Sequence, residues 1–170
     1  MGKVKIFSGF LVLFILLSSA TETTSYALKT SSLEIKGYVY DKEEKVDGAL
    51  VKLYQNNRVV QMAKTKKSKF QFILFSGMKY MVEIAKPGAV TERIQISTEA
   101  ETQFGGKYLY EFKVDLMSLT KFKGVDISDL DFPTALIKYD ADEGEYMHDI
   151  AYSKQVKADL KKLKEAARNK

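Results

Sequence analysis

The stretch Gly48-Ala49-Leu50-Val51-Lys52-Leu53-Tyr54 restricts the fold of this chain more than any other. Ala49, Val51 and Leu53 alternate with Leu50, Lys52 and Tyr54, the period of a pleated strand with one covered face. Asp47-Gly48 ahead of it reads as a turn, because glycine accepts positive φ and aspartate bonds its own backbone. Upstream, Leu33, Ile35, Gly37 and Val39 alternate with Glu34, Lys36, Tyr38 and Tyr40. The polar link 41–46 then predicts two antiparallel strands meeting around a charged loop. Downstream, a turn over 65–70 leads to Phe70, Phe72 and Leu74 on one face, and Tyr80, Val82 and Ile84 follow Ser76-Gly77.

Seven strands are expected, at about 33–40, 49–54, 58–65, 69–75, 79–85, 90–96 and 107–116. Asn56-Asn57 is the turn pair for a hairpin between the second and third. Pro87-Gly88 marks the turn between the fifth and sixth. The seventh alternates most clearly: Tyr108, Tyr110, Phe112, Val114 and Leu116 lie on one face, with Lys107, Glu111, Lys113 and Asp115 on the other. The loop Glu99 to Gly106 is read as a long hairpin connection. It is no phosphate cradle, since no Lys-Ser/Thr follows its glycines and no helix pattern begins there. Short strands with turns at this spacing predict a sandwich rather than a parallel α/β sheet.

Those same residues carry a resemblance. Ile35-Lys36-Gly37-Tyr38-Val39-Tyr40-Asp41, then Gly48 to Tyr54, Thr65…Phe70-Gln71-Phe72 and Tyr80-Met81-Val82-Glu83-Ile84-Ala85-Lys86-Pro87-Gly88 resemble the carboxypeptidase regulatory-like domains. These are small prealbumin-like (transthyretin-like) β-sandwiches common in bacterial envelope proteins. The resemblance spans about residues 33–98. It departs from the family at Lys66 and Ser68, where Asp and Gly are usual, and at Ala89, where an aromatic is usual. With the strand pattern it implies a mainly β, seven-stranded antiparallel sandwich over 28–118; a separate extension, 119–170, is expected to end in an α-helix packed on the sandwich. The tail around Pro133, Ile137-Lys138-Tyr139-Asp140, Tyr146 and Asp149-Ile150-Ala151-Tyr152 is similar to tails of Bacteroidetes envelope proteins.

Residues 1–27 have the anatomy of a secretory signal peptide: Lys3 and Lys5, an apolar run from Ile6 to Leu17, then small residues at Ser18-Ser19-Ala20 and Ser25-Tyr26-Ala27. The run is shorter than the ~20 residues a spanning helix needs, so no stable membrane anchor is expected after cleavage. Removing 1–27 takes away two lysines and one glutamate, leaving 143 residues and a formal charge of +4. That is enough for one domain with a proper core, and too mild a charge to argue for nucleic acid. An exported chain without cysteine must draw its stability from packing, which favours a bacterial envelope, either the periplasm or the cell surface.

Beyond Met117 the composition changes. Residues 126–149 hold eight acidic side chains against Lys138, and 152–170 hold seven basic ones against Asp159 and Glu165. Phe132 to Tyr139 is apolar enough for one more extended piece. Val156, Leu160 and Leu163 fall at helical spacing, with lysines on the other face.

Little in the chain suggests catalysis. The one histidine, His148, could serve as a base oriented by Asp149. A nucleophile would then be needed, and the sequence has neither cysteine nor Gly-x-Ser-x-Gly. Hydroxyisourate hydrolases of transthyretin-like fold rely on several His and Arg residues and a C-terminal tetrapeptide that this chain lacks. Asp140, Asp142, Glu143 and Glu145 have the spacing that opens a calcium loop. However, the sixth position is Glu145 rather than Gly and the twelfth is Ala151 rather than Glu, so a solvated acidic turn is expected. The reading is therefore no enzyme and no cofactor or metal.

What remains is surface. Tyr38, Tyr40, Tyr54 and Phe75, with Ile73 and Met81, point away from the expected core. They form either a binding platform or a surface buried under the folded-back C-terminal extension, the latter being preferred. The expected role is an exported adaptor or accessory module whose partner is another envelope protein, the alternative being a glycan-binding module.

Overall fold

The computed structural model describes residues 31–99, 106–122 and 132–168. The expected signal peptide and its cleavage sites lie outside the described residues, as do 100–105 and the acidic stretch 123–131. Ten strands, one 3-10 turn and one helix follow in order: β1 Ser32–Asp41, β2 Glu44–Lys45, β3 Leu50–Gln55, β4 Arg58–Lys64, β5 Lys69–Phe75, β6 Lys79–Ala85, β7 Glu92–Ser97, β8 Lys107–Asp115, the 3-10 turn Leu119–Phe122, β9 Ala135–Asp140, β10 Glu145–His148 and α1 Ile150–Arg168. Two sheets face each other. In one, β1 lies between β8 and β5, with the short β2 also pairing β1; the other runs β10-β9-β7-β6-β3-β4.

The alternation read from the sequence is what fills the space between them. Leu33, Ile35 and Val39 of β1, and Phe70, Phe72 and Leu74 of β5, are buried against Val51, Leu53, Val82, Ile84, Ile94 and Ile96 of the opposing sheet. Gly37 faces the same core, and a Cβ there would lie 2.1 Å from the Phe70 ring. The missing side chain is therefore the space that Phe70 occupies. The Phe70 ring in turn sits 5.9 Å from the rings of Phe72 and Phe112, in tilted and edge-on contacts that favour aromatic pairs.

Turns are set by a few polar groups. Asn56 and Asn57 both have positive φ and close the β3–β4 hairpin, as expected. Lys67 and Ser68 do the same between β4 and β5, although neither is glycine. The Asp47 carboxylate offsets part of that strain by accepting from the Ser68 N–H at 2.7 Å. Thr65 ties the same corner, donating to the Val46 carbonyl at 2.8 Å and accepting from the Ala49 N–H at 3.0 Å. At the opposite end of β5, buried Thr98 donates to the Phe75 carbonyl at 2.7 Å and accepts from the Met78 N–H at 3.1 Å.

The fold is the mainly β sandwich with a terminal helix that the sequence predicts, but its pairing differs in three ways. β1 does not pair with β3 around the charged loop; its hairpin partner is β2, and β3 belongs to the other sheet. Nor do β7 and β8 form a hairpin, because β8 lies parallel to β1 in the opposing sheet. Finally, two parallel pairs, β1–β8 and β7–β9, break the expected antiparallel pattern, and β2, β9 and β10 raise seven strands to ten. Alternation reports which face is covered, whereas the partner depends on where the connection leads.

The tail completes the second sheet. β9 pairs with the outer edge of β7, and β10 pairs antiparallel with β9. Tyr139 and Tyr146 meet Tyr108 of β8 in a mutual edge-to-face cluster, with centroids 5.5–5.6 Å apart. Asp149 precedes helix α1 as its N-cap, its carboxylate accepting from the Tyr152 N–H at 3.0 Å. Val156 is buried, and Leu160 and Leu163 close over a small second core of Val90 and Phe122. The helix thus docks through the three residues its spacing singled out. Among the described residues, no helix is long and apolar enough to cross a membrane.

Candidate binding face

Odd and even positions of β1 divide the molecule. Residues 33, 35, 37 and 39 go inward, so Glu34, Lys36, Tyr38 and Tyr40 must stand on the outer face of the β8-β1-β5 sheet. Register fixes their neighbours. Tyr38 lies between Lys69 of β5 and Lys113 of β8, and Lys36 between Gln71 and Glu111. Glu34 lies between Ile73 and Leu109, and Ser32 between Phe75 and Lys107.

This face has two ends of different character. At the Tyr38 end, the Lys69 ammonium lies 5.3 Å from the Tyr38 ring centroid, and Lys113 lies 6.0 Å from that of Tyr40. The Tyr38 hydroxyl donates to Glu111 at 3.3 Å. Desolvation and the nearby Glu111 charge raise the Tyr38 pKa. Lys36 bridges Glu34 at 3.0 Å and Glu111 at 3.8 Å, and its hydrogen bond to Glu34 raises its pKa. At the other end, Ile73, Phe75 and Leu109 are 50%, 57% and 54% exposed. Register places Ile73 and Phe75 on one side of β1 and Leu109 on the other, with Glu34 and Ser32 of β1 between them.

Of the four aromatics singled out from the sequence, Tyr38, Tyr40 and Phe75 therefore share one face. Tyr54 does not. It stands on the outer face of the other sheet, where its hydroxyl donates to Glu83 at 3.2 Å. Glu83 also accepts from Lys52 at 3.3 Å and from Arg93 at 3.1 Å. The C-terminal extension does not cover Phe75 and Ile73, as the preferred reading expected, because its strands find hydrogen-bond partners along β7 instead. Leu109 was missed. Its signal is an apolar residue between Lys107 and Glu111 on the polar side of the alternation in β8.

His148 and Asp149 do not form the oriented pair considered from the sequence. The Asp149 carboxylate is engaged by the Tyr152 N–H and by Lys138 at 3.0 Å, and these contacts lower its pKa. His148 Nε2 instead meets the Ser153 hydroxyl, which donates its single proton to the Asp149 carbonyl at 2.9 Å. Asp140, the first carboxylate of the acidic motif, accepts from the Asp142 N–H at 3.0 Å and the Glu143 N–H at 3.3 Å, closing the β9–β10 turn. Among the described residues, no group of three or more potential ligands could hold a metal ion.

No family model matches the chain, and no curated protein matches it significantly. Solved structures give partial likenesses. The Bacillus anthracis TIE protein is 21% identical, with a TM-score of 0.42, over 52% of this chain and 18% of that one. The 3-chlorocatechol 1,2-dioxygenase of Rhodococcus opacus 1CP is 12% identical, with a TM-score of 0.39, over 52% of this chain and 60% of that one. The pilus 2b backbone protein of group B streptococcus is 13% identical, with a TM-score of 0.35, over 50% and 40% of the two chains. Likeness at this level carries no function across to this chain.

Proposed function

We propose that this chain is an exported, non-catalytic β-sandwich that works by contact, as an adaptor or accessory module in a bacterial envelope assembly. The proposal is carried by the open cluster of Ile73, Phe75 and Leu109 on one sheet face. Exposed side chains of this size on one sheet face, flanking Glu34 and Ser32 and bordered by Lys107, are what a protein partner buries. Export rests on the signal-like anatomy of residues 1–27, and the envelope setting on the resemblance to carboxypeptidase regulatory-like domains. A glycan finds less support, because stacking needs a bare ring face, whereas lysines lie over Tyr38 and Tyr40.

Tagged protein expressed in its own host tests this by fractionation and capture after mild cross-linking. The tagged chain is expected outside the cytoplasm with a defined envelope partner, and Phe75→Asp with Leu109→Asp should remove that partner while leaving the melt unchanged. Cytoplasmic location, or a partner retained by the double variant, would count against the proposal.

A further inference from the structure

The second sheet ends in an edge strand built unlike the rest. Among the described residues β4 pairs only with β3, and six of its seven residues, all but Ala63, are exposed. Val59, Val60 and Met62 are 44%, 46% and 67% exposed, and no proline interrupts the run. Edge strands of this kind invite pairing with another chain unless charge or distortion blunts them. β4 carries one irregularity, a shift opposite Leu53 and Tyr54 that leaves Val60 without a partner; from Gln61 to Lys64 the ladder is regular.

Charge decides what could pair there. Arg58 and Lys64 close the two ends of β4, and Lys66 and Lys69 follow at the next turn. Lys64, Lys66 and Lys69 line a cleft of about 570 Å³ together with Lys36, Tyr38 and Gln71. Glu111, the one carboxylate lining it, already pairs with Lys36. Among the described residues, Lys64, Lys66 and Lys69 have no carboxylate partner. A second copy of the chain fits poorly. Antiparallel self-pairing centred on Gln61 would set Arg58 opposite Lys64 at both ends, and like charges directly opposite destabilise a ladder.

We propose that β4 is a strand-addition site for an extended segment of a partner protein in which acidic residues alternate with apolar ones. Backbone hydrogen bonds to the free edge would supply affinity. Valine-sized side chains would meet Val59, Val60 and Met62, and carboxylates would meet Arg58 at one end and the lysine cleft at the other. This surface is separate from the Ile73–Phe75–Leu109 cluster, so each can fail without the other.

The probe is a synthetic peptide of alternating valine and glutamate, as long as β4, with a valine–lysine peptide as control. Titrated into isotope-labelled protein, the acidic peptide should protect backbone amides of Arg58–Lys64 from exchange and leave those of β8 unchanged. The double variant Arg58→Glu, Lys64→Glu, both exposed positions, should weaken it about tenfold and turn preference towards the basic peptide. Absence of protection in β4 at saturating peptide, equal binding of both peptides, or concentration-dependent dimers protected at β4 without peptide would each overturn the proposal.

Discussion

Gly37 is the residue where one methyl group should do most harm. Its absent Cβ would meet the Phe70 ring at 2.1 Å, and that ring is held by Phe72 and Phe112. Gly37→Ala should cost about 1–3 kcal/mol, the range for overpacking a closed core, measured by chemical denaturation. A second residue-scale expectation concerns Glu92, buried with Thr134 and Lys164 near it. Burial holds its carboxyl above the usual carboxylate range, against the opposing pull of those two neighbours. A raised folded-state pKa means that the folded chain binds this proton more tightly than the unfolded chain. The stabilisation is then full below the ordinary glutamate pKa and is lost as pH rises through the folded value. Glu92→Gln should remove that loss, so wild type and variant melts should diverge in slope just above the ordinary glutamate range. At this scale the sequence was informative wherever alternation held: Phe72 and Val82 are buried and Gln71 is exposed, as their positions require. It was uninformative about Gly37, because the space a glycine leaves is defined by a ring more than thirty residues away.

At the scale of elements, strand positions were legible and strand partners were not. Period-two alternation fixes a covered face, but β8 reads the same whether it pairs β7 or β1. The turn over 65–70 was legible, but what supports it at Lys67-Ser68 was not. Its positive φ angles are supported by Asp47, a residue from another loop, rather than by local glycine. The start of α1 was equally hidden, since Asp149 was weighed as a partner for His148 and serves instead as the N-cap. The Tyr152 N–H and Lys138 hold its carboxyl below the usual aspartate range. Stability from a depressed carboxyl is present above the unfolded pKa and is lost as pH falls through the folded value. Asp149→Ala should therefore fray the first helical turn at neutral pH, seen as faster amide exchange at Tyr152 and Ser153. In acid, below the folded-state pKa, the two proteins should exchange alike.

Across the whole molecule, composition marked the tail as a separate matter, with its acidic and basic halves, and in part it is not. β9 and β10 extend the second sheet, and α1 packs over the small second core of Val90 and Phe122. What the core does not use then defines the surfaces. The exposed apolar side chains of the sheets gather on the outer face of β8-β1-β5 and along β4. The first could be glimpsed in the sequence from Phe75 and Ile73, but its extent could not, because Leu109 joins it only through the parallel pairing of β8 with β1.

On the proposed function, the β8-β1-β5 face is where this protein meets a partner. Photo-crosslinking in living cells tests it, with a photoreactive residue placed at Phe75, at Leu109 or at Asp142 in the β9–β10 turn. One discrete adduct of the same mass is expected from Phe75 and Leu109, and none from Asp142. Equal labelling from all three positions, or an adduct from Asp142 alone, would contradict it.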